Sequence, residues 1–287
     1  MSLPDHAPTP GVEPLSQQST PARLYGALGE GKDHFQVDED NAAALDEILP
    51  GMARIVPDNR SCLRRMVAAA ADLGISQFVD LGSGLPDQPP NLHEVVHDRQ
   101  PGASFVYVDR DPVVCTHGRA LLRAPRVTMV EADVRDLDDV FSRPEVRMRV
   151  DFGLPVCLVL GAVLHFLADD EVRGVMEASH DWLPQGSLLL VTHATSDQPH
   201  YTPEQVEAAR DFYQAQTGER LYLRRVQEIA DLVLPGCAPM WPGLVSTAFW
   251  RAGPEAGPDA RAPYFVAVAA EVRGLVEDRR AVQESAG

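Results

Sequence analysis

The stretch QFVDLGSGLP, residues 77–86, decides how the rest of the chain is read. An apolar run that breaks at once into Gly82-Ser83-Gly84 has the form of a buried strand entering a tight turn. Without Cβ atoms the backbone can turn sharply and approach a bound molecule closely. Alone, G-x-G is weak evidence, so its surroundings must decide whether it marks a site.

Outward from this turn, short apolar runs alternate with helical patterns. The runs are QFVDLG, SFVYVD, VTMVEAD, PVCLVLGAVL and SLLLVTHA. Apolar side chains on consecutive positions suit strands buried on both faces of a parallel sheet. Between them NLHEVVHDRQ, VVCTHGRALLRA and DDEVRGVMEASHDWL read as crossover helices, which predicts an α/β, doubly wound, mostly parallel sheet. Upstream, DEDNAAALDEILPGMARIV and NRSCLRRMVAAAADLG repeat their apolar positions at spacings of three and four and read as two helices. Asp58 or Asn59 is the expected cap of the second, and Gly74 its end. Downstream, TPEQVEAARDFYQAQTG and RRVQEIADLVL read as helices, and GLVSTAFWR and PYFVAVAAEV as late strands separated by the Gly/Pro-rich AGPEAGPDARAP. The expected organisation is a flexible tail over 1–20, a helical cover or lid over 21–74, a Rossmann-like domain over 75–277 and a C-terminal tail over 278–287.

The 287 residues suffice for a sizeable core. With 42 acidic against 25 basic residues the net charge is −17, which opposes binding to nucleic acid or an anionic membrane and favours a small neutral or cationic partner. Cys62, Cys115, Cys157 and Cys237 are scattered without metal-ligand spacing, so no metal site is expected. No apolar stretch approaches the roughly 18 residues of a membrane span, and a cytoplasmic location is expected. The oligomeric state is not legible.

Chemistry enters at the strand ends. Asp109 closes SFVYVD where an acid accepts hydrogen bonds from two ribose hydroxyls, an arrangement shared by dinucleotide dehydrogenases and S-adenosylmethionine enzymes. Against the dehydrogenase, the fingerprint G-x-G-x-x-G wants a third glycine, and position 87 is Asp behind Pro86. In favour of S-adenosylmethionine, Asp80 stands two residues before the turn, where a carboxylate can anchor an amino-acid end. EADVRD places Asp133 where an adenine amino group can be bound. Asp111 reads as a turn residue before Pro112. His165 follows the fourth run and His193 the fifth, both at the carboxyl ends of strands where ligands sit in open α/β sheets. Either is a candidate general base, or a packing residue. His34, His93, His97, His117 and His180 read as surface or helix-face residues, and Met240 and Trp241 as either pocket lining or core.

In order and spacing, VDLGSGLP, VYVDRDP, EADVRD and VLHFLADD resemble class I S-adenosylmethionine-dependent methyltransferases. More narrowly, ARLYGALGEGKDHFQVDED, NRSCLRRMV, NLHEVV, VTH and PGLVSTAFWR are similar to an actinobacterial methyltransferase family long catalogued as a domain of unknown function. The resemblance runs from about residue 20 to 270. It implies a class I methyltransferase-like fold and S-adenosyl-L-methionine as methyl donor to a small-molecule acceptor, with secondary metabolism as the setting. A non-catalytic S-adenosylmethionine-binding protein stays as the alternative. Carried over by position, it makes Asp80, Gly82, Ser83 and Gly84 the methionine-end loop, Asp109 and Arg110 the ribose side, Asp133 with Val134 the adenine edge, and Gly161 and His165 the far wall.

Before these motifs stands GALGEGKD, residues 26–33, which fits the P-loop pattern until its last position and lacks the strand a P-loop needs in front of it. The resemblance makes it part of a cover. Tyr25 and Phe35 are expected over the cofactor and Lys32 on its carboxylate, with Asp33 holding the lysine or capping the following helix.

Overall fold

A computed structural model describes residues 18–86, 88–253 and 265–273. The apolar runs form β1 (Gln77–Leu81), β2 (Ser104–Asp109), β3 (Val127–Glu131), β4 (Cys157–Gly161) and β5 (Leu188–Ala194), all parallel. They join β6 (Cys237–Pro239), β7 (Val245–Ser246) and β8 (Phe265–Val272) in one sheet of order β3-β2-β1-β4-β5-β8-β6, with β7 on β8. β8 runs antiparallel to β5, β6 and β7.

Strand side chains alternate between two cores, which is why the runs are apolar at nearly every position. Phe78, Phe105, Tyr107 and Val159 face one core, where the Phe78 and Phe105 rings stack at 5.7 Å. Val79, Leu81, Val106 and Leu160 face the other. The first core is closed by α3 (Ile55–Asp72), α4 (Leu92–His97) and α5 (Pro112–Leu121); the second by α6 (Leu137–Ser142), α7 (Pro144–Arg147), α8 (Asp169–Trp182) and α10 (Val226–Val233). Helices on both faces make the sheet doubly wound, as expected.

A third cluster builds the cover. α1 (Pro21–Leu28) and α2 (Gln36–Ile48) pack Leu24, Leu28 and Leu45 against Ala209 and Tyr213 of α9 (Pro203–Thr217). The cluster therefore joins the N-terminal helices to α9, far away in the chain. Ser19 and Thr20 belong to the cover too. The Ser19 hydroxyl accepts from Asn41 Nδ2 at 2.9 Å, and Thr20 caps α1 through Arg23 N–H. Residues 1–17 of the expected tail, most of AGPEAGPDARAP and the C-terminal tail lie outside the described residues.

Several elements differ from expectation. α1 was not anticipated, because its eight residues include Gly26 and follow a Pro-rich stretch; Thr20 and Pro21 start it. Asp58 and Asn59 do not cap α3. The helix begins at Ile55, directly after a 3₁₀ turn at Met52–Arg54, and both residues lie inside its first two turns. Gly74 does terminate it, with φ +93°. GLVSTAFWR is a strand only at Val245–Ser246. Beyond these, Arg65 takes the backbone oxygens that a ladder would use, donating from Nε to Trp250 O at 2.8 Å and from Nη2 to Thr247 O at 2.7 Å.

Removing that guanidinium strands two carbonyls beside the buried Trp250. Arg65→Met is expected to destabilise by about 1–3 kcal/mol for each buried acceptor left unpaired. Thermal unfolding followed by circular dichroism should show a melting temperature lower by several degrees; an unchanged one refutes the assignment.

Candidate functional site

At the carboxyl end of the sheet the chain encloses a cavity of about 550 Å³, within the range of small-molecule sites. Strand order divides its floor. Asp133 stands two residues beyond β3, Asp109 ends β2 and Asp80 is the penultimate residue of β1, three neighbouring strands. Ala162, Ala194 and Phe265 stand at the corresponding ends of β4, β5 and β8. The first side carries carboxylates, with Arg60, Arg64, Arg110 and Arg135 also lining the cavity; the other is apolar, where Tyr25, Met52, Ile55 and Leu223 pack around Ala194 and Phe265.

In the acidic half, Gly82 and Gly84 both have positive φ, +72° and +66°. A Cβ on Gly82 would lie 2.5 Å from Val163 Cγ2, whereas one on Gly84 would meet open space. The turn therefore needs glycine sterically at Gly82 and conformationally at both. Its shape is held by Asp109: Oδ2 accepts from Gly84 N–H at 2.9 Å and Oδ1 from Asp111 N–H at 2.9 Å. Each oxygen keeps a lone pair for a ligand hydroxyl. Burial raises the Asp109 carboxyl above its usual range against these two bonds. Asp80 is 5 % exposed and lines the cavity. Burial first, and then the Asp109 charge, push its carboxyl up to about 7, opposed by Arg60. Such a group is matched by a cation from the ligand.

Asp133 takes three hydrogen bonds from Arg135, one from the backbone and two from the guanidinium, and that pairing lowers its carboxyl below the usual range. One acceptor position remains on Oδ2 for an amino group. Val134 and Gly161 line the cavity as well. Arg110 does so while paired to Glu219, beyond the end of α9, which ties the cover to the end of β2. Asp111 is the N-cap of α5, accepting from Val113 N–H, and it lines the cavity as well. The Ser83 hydroxyl is buried with no hydrogen-bond partner among the described residues.

The four cover residues are split. Tyr25 lines the cavity, and its hydroxyl accepts from Asn59 Nδ2 at 2.7 Å. Lys32, Asp33 and Phe35 do not line it. Lys32 is exposed. Asp33 reaches His117 of α5 at 3.2 Å instead of the lysine, and it caps nothing. Phe35 is the N-cap residue of α2, 43 % exposed, with the Arg23 guanidinium 4.9 Å above its ring. GALGEGKD is thus the end of α1: Gly29 and Gly31 both donate to Gly26 O, and Glu30 is left-handed at φ +58°. A Cβ on Gly29 would fall 2.5 Å from Val56 Cγ1, so glycine is required for the close packing of α1 on α3. Gln88 Nε2 donates to Gly29 O, bonding the cover to the loop after β1.

The histidines also separate. His165 lines the cavity in the 3₁₀ turn Leu164–Phe166. His193 does not line it; its Nδ1 donates to Ala194 O at 2.6 Å and its Nε2 accepts from Arg224 Nη1 at 3.0 Å. Burial, with the Arg224 charge beside it, lowers His193 to about 4. Both ring nitrogens are occupied, so the general-base expectation for His193 is not met by its geometry. Arg224, which the pattern of the sequence did not single out, also bonds Leu164 O, Leu167 O and the Asp169 carboxylate, fixing the turn that carries His165. His93, on the inner face of α4, is buried against Tyr107, with Nδ1 2.9 Å from its hydroxyl. Trp241 is 75 % exposed, and neither it nor Met240 lines the cavity.

Comparison with known proteins follows the same lines. No curated protein matches the chain. Among solved structures, a Thermobifida fusca protein described as a candidate methyltransferase is 36 % identical, covering 90 % of this chain and 96 % of that one at a TM-score of 0.82. A DUF574 family protein from Streptomyces avermitilis is 29 % identical, with coverage of 90 % and 99 % and a TM-score of 0.83. An O-methyltransferase family protein from Burkholderia thailandensis, 17 % identical with coverage of 88 % and 73 % at a TM-score of 0.50, shares the fold. The model of the S-adenosyl methyltransferase family matches residues 13–273, nearly the whole chain, and the chain belongs to that family.

Proposed function

We propose that this protein moves a methyl group from S-adenosylmethionine to a small-molecule acceptor, with modification of secondary metabolites as its setting. The observation that carries this reading is the divided floor of one cavity: a nucleoside-type acidic half directly beside an apolar half. The residues fit the donor. Asp109 offers two lone pairs to ribose hydroxyls, Asp133 one to the adenine amine, and the buried carboxyl of Asp80 a partner for the methionine ammonium. Gly82 and Gly84 leave the backbone bare where the methionine end passes. When bound, the sulfonium supplies an electrophilic methyl group whose carbon–sulfur electron pair stays on sulfur. The chain's part is alignment, which contributes roughly 7–11 kcal/mol where two reactants are held in line. The cover of α1, α2 and α9 excludes water from the cavity, acting as the lid over both halves. Among the described residues no helix is long and apolar enough to cross a membrane.

Asp109→Ala removes a charged acceptor of two ribose bonds, each of which contributes about 1.5–3 kcal/mol. Affinity for S-adenosylmethionine should fall more than about tenfold in isothermal titration, with a melting curve confirming that the variant is folded. Unchanged affinity in a folded variant removes Asp109 from the site.

Asp80 gives a prediction with a sign. Its carboxyl is raised from about 3.9 in the unfolded chain to about 7 when folded. Its share of stability is therefore full below the unfolded value and lost as pH rises through 7. An ammonium partner favours the carboxylate, so binding S-adenosylmethionine at pH 6 should release most of one proton, and the release should fade as pH passes 7. Calorimetry in buffers of different ionisation enthalpy measures this, and Asp80→Asn should abolish it. Binding without proton release at pH 6 means that Asp80 does not face the ammonium.

A further inference from the structure

The apolar half of the cavity holds one imidazole, and its hydrogen bonding fixes what it can offer. His165 is 4 % exposed, its ring tilted against Phe166 and Phe265 with centroids 4.5 and 5.6 Å away. Ala194 N–H donates to His165 Nδ1 at 3.4 Å. Nδ1 therefore carries a lone pair, and in a neutral ring the proton sits on Nε2. The charged and titratable groups around His165 keep the ring neutral. The His193 ring lies 5.5 Å away and the Arg224 guanidinium beyond it, and both oppose a second positive charge, as burial does first of all. The carboxylate of that network, Asp169, is already bonded to Arg224. Among the described residues no hydrogen bond to Nε2 is present, and the residue lines the cavity.

A neutral ring of this tautomer gives a hydrogen bond through Nε2 and takes no proton there. The carboxylates of the cavity do not replace it as a base. Among the described residues, the carboxylates lining the cavity are Asp80, Asp109, Asp111 and Asp133, which stand over β1, β2 and β3, and Glu219, which is tied to Arg110.

We propose that His165 Nε2–H donates a hydrogen bond to the acceptor's oxygen, and that the acceptor is an apolar hydroxyarene or enol acidic enough to bind as its anion. This rests on the methyl-transfer reading above. The hydroxyl proton goes to solvent before the anion enters. The oxygen then contributes the electron pair of the new O–CH₃ bond, the S–CH₃ pair remains on sulfur, and the sulfonium and oxyanion charges cancel. The apolar wall of Met52, Ile55, Leu223 and Phe265 suits a ring system. His165 is a catalytic residue in this scheme, as a donor that orients the oxyanion and offsets its burial.

The test uses 4-nitrophenol, whose anion is yellow, with S-adenosylhomocysteine present so that no turnover occurs. At a pH below the free phenol's ionisation, wild-type protein should bind it as the anion and raise the yellow band. His165→Gln, which keeps an N–H donor near the Nε2 position and cannot act as a base at neutral pH, should bind within about threefold of wild type, whereas His165→Phe should lose about tenfold or more. If Gln fails as badly as Phe, His165 acts by taking a proton or by packing, and the proposal is wrong. Full binding by Phe would show that His165 does not touch the acceptor. Wild type that binds S-adenosylhomocysteine by calorimetry yet ignores nitrophenolate refutes the acceptor class. Wild type that binds no S-adenosylhomocysteine refutes the methyl-transfer reading itself.

Discussion

The hydrogen bond from Gly84 N–H to the Asp109 carboxylate joins the ends of two adjacent parallel strands, and the site is arranged around it. β1 pairs with β2 over Gln77–Leu81 and Ser104–Val108, so the two strands deliver their ends to the same level. The carboxylate then binds the glycine turn on one side and the start of α5, through Asp111 N–H, on the other. With both backbone donors satisfied, the turn is held open while its glycines present bare backbone to the cavity. A carboxylate that shapes its own pocket by internal bonds is preorganised, so little ordering remains when a ligand arrives.

The position of β1 between β2 and β4 converts that local arrangement into a divided site. Chain order reverses direction at β1, so the acidic ends of β1, β2 and β3 lie on one side and the apolar ends of β4, β5 and β8 on the other. Such a separation suits the proposed methyl transfer to an oxyanion. Carboxylates beside the acceptor would repel its charge, and an apolar surface around the ribose would leave hydroxyls unpaired. Arg224 does for the apolar side what Asp109 does for the acidic one. Its buried guanidinium gathers the carbonyls of Leu164 and Leu167, the His193 ring and Asp169, and so sets the turn that carries His165.

The cover closes the cavity by packing and by polar ties. Leu24, Leu28 and Leu45 meet Ala209 and Tyr213 in an apolar seam. Arg110–Glu219, Asp33–His117 and Gln88–Gly29 then fasten its margins to the strand-end loops and helices. The Arg110–Glu219 ion pair is partly exposed and weak, about 0–1 kcal/mol. Strong packing with weak marginal ties suits the proposed role of a lid.

The sequence alone determined the five parallel strands β1 to β5 and their burial on both faces, and pointed to the carboxylates near their ends, because each is encoded locally; the antiparallel placing of β8 against β5, β6 and β7 was decided by the fold. Buried parallel strands are apolar at consecutive positions, a glycine turn follows directly on β1, and Asp80, Asp109 and Asp133 sit at fixed offsets from strand ends. Periodicity also identified α9, yet could not show that it belongs to the cover, since an amphipathic pattern specifies a buried face and not its partner. The same limit hid the fate of GALGEGKD, whose glycines serve a helix end and a close approach to Val56. Only the tertiary structure decided between the histidines. His165 stands four residues beyond the end of β4 and His193 one residue before the end of β5, and the fold turns the first ring to the cavity and the second to Arg224, 31 residues further along the chain. The work of an imidazole depends on which groups bond its two nitrogens, and those groups are brought together by folding and not by neighbouring letters.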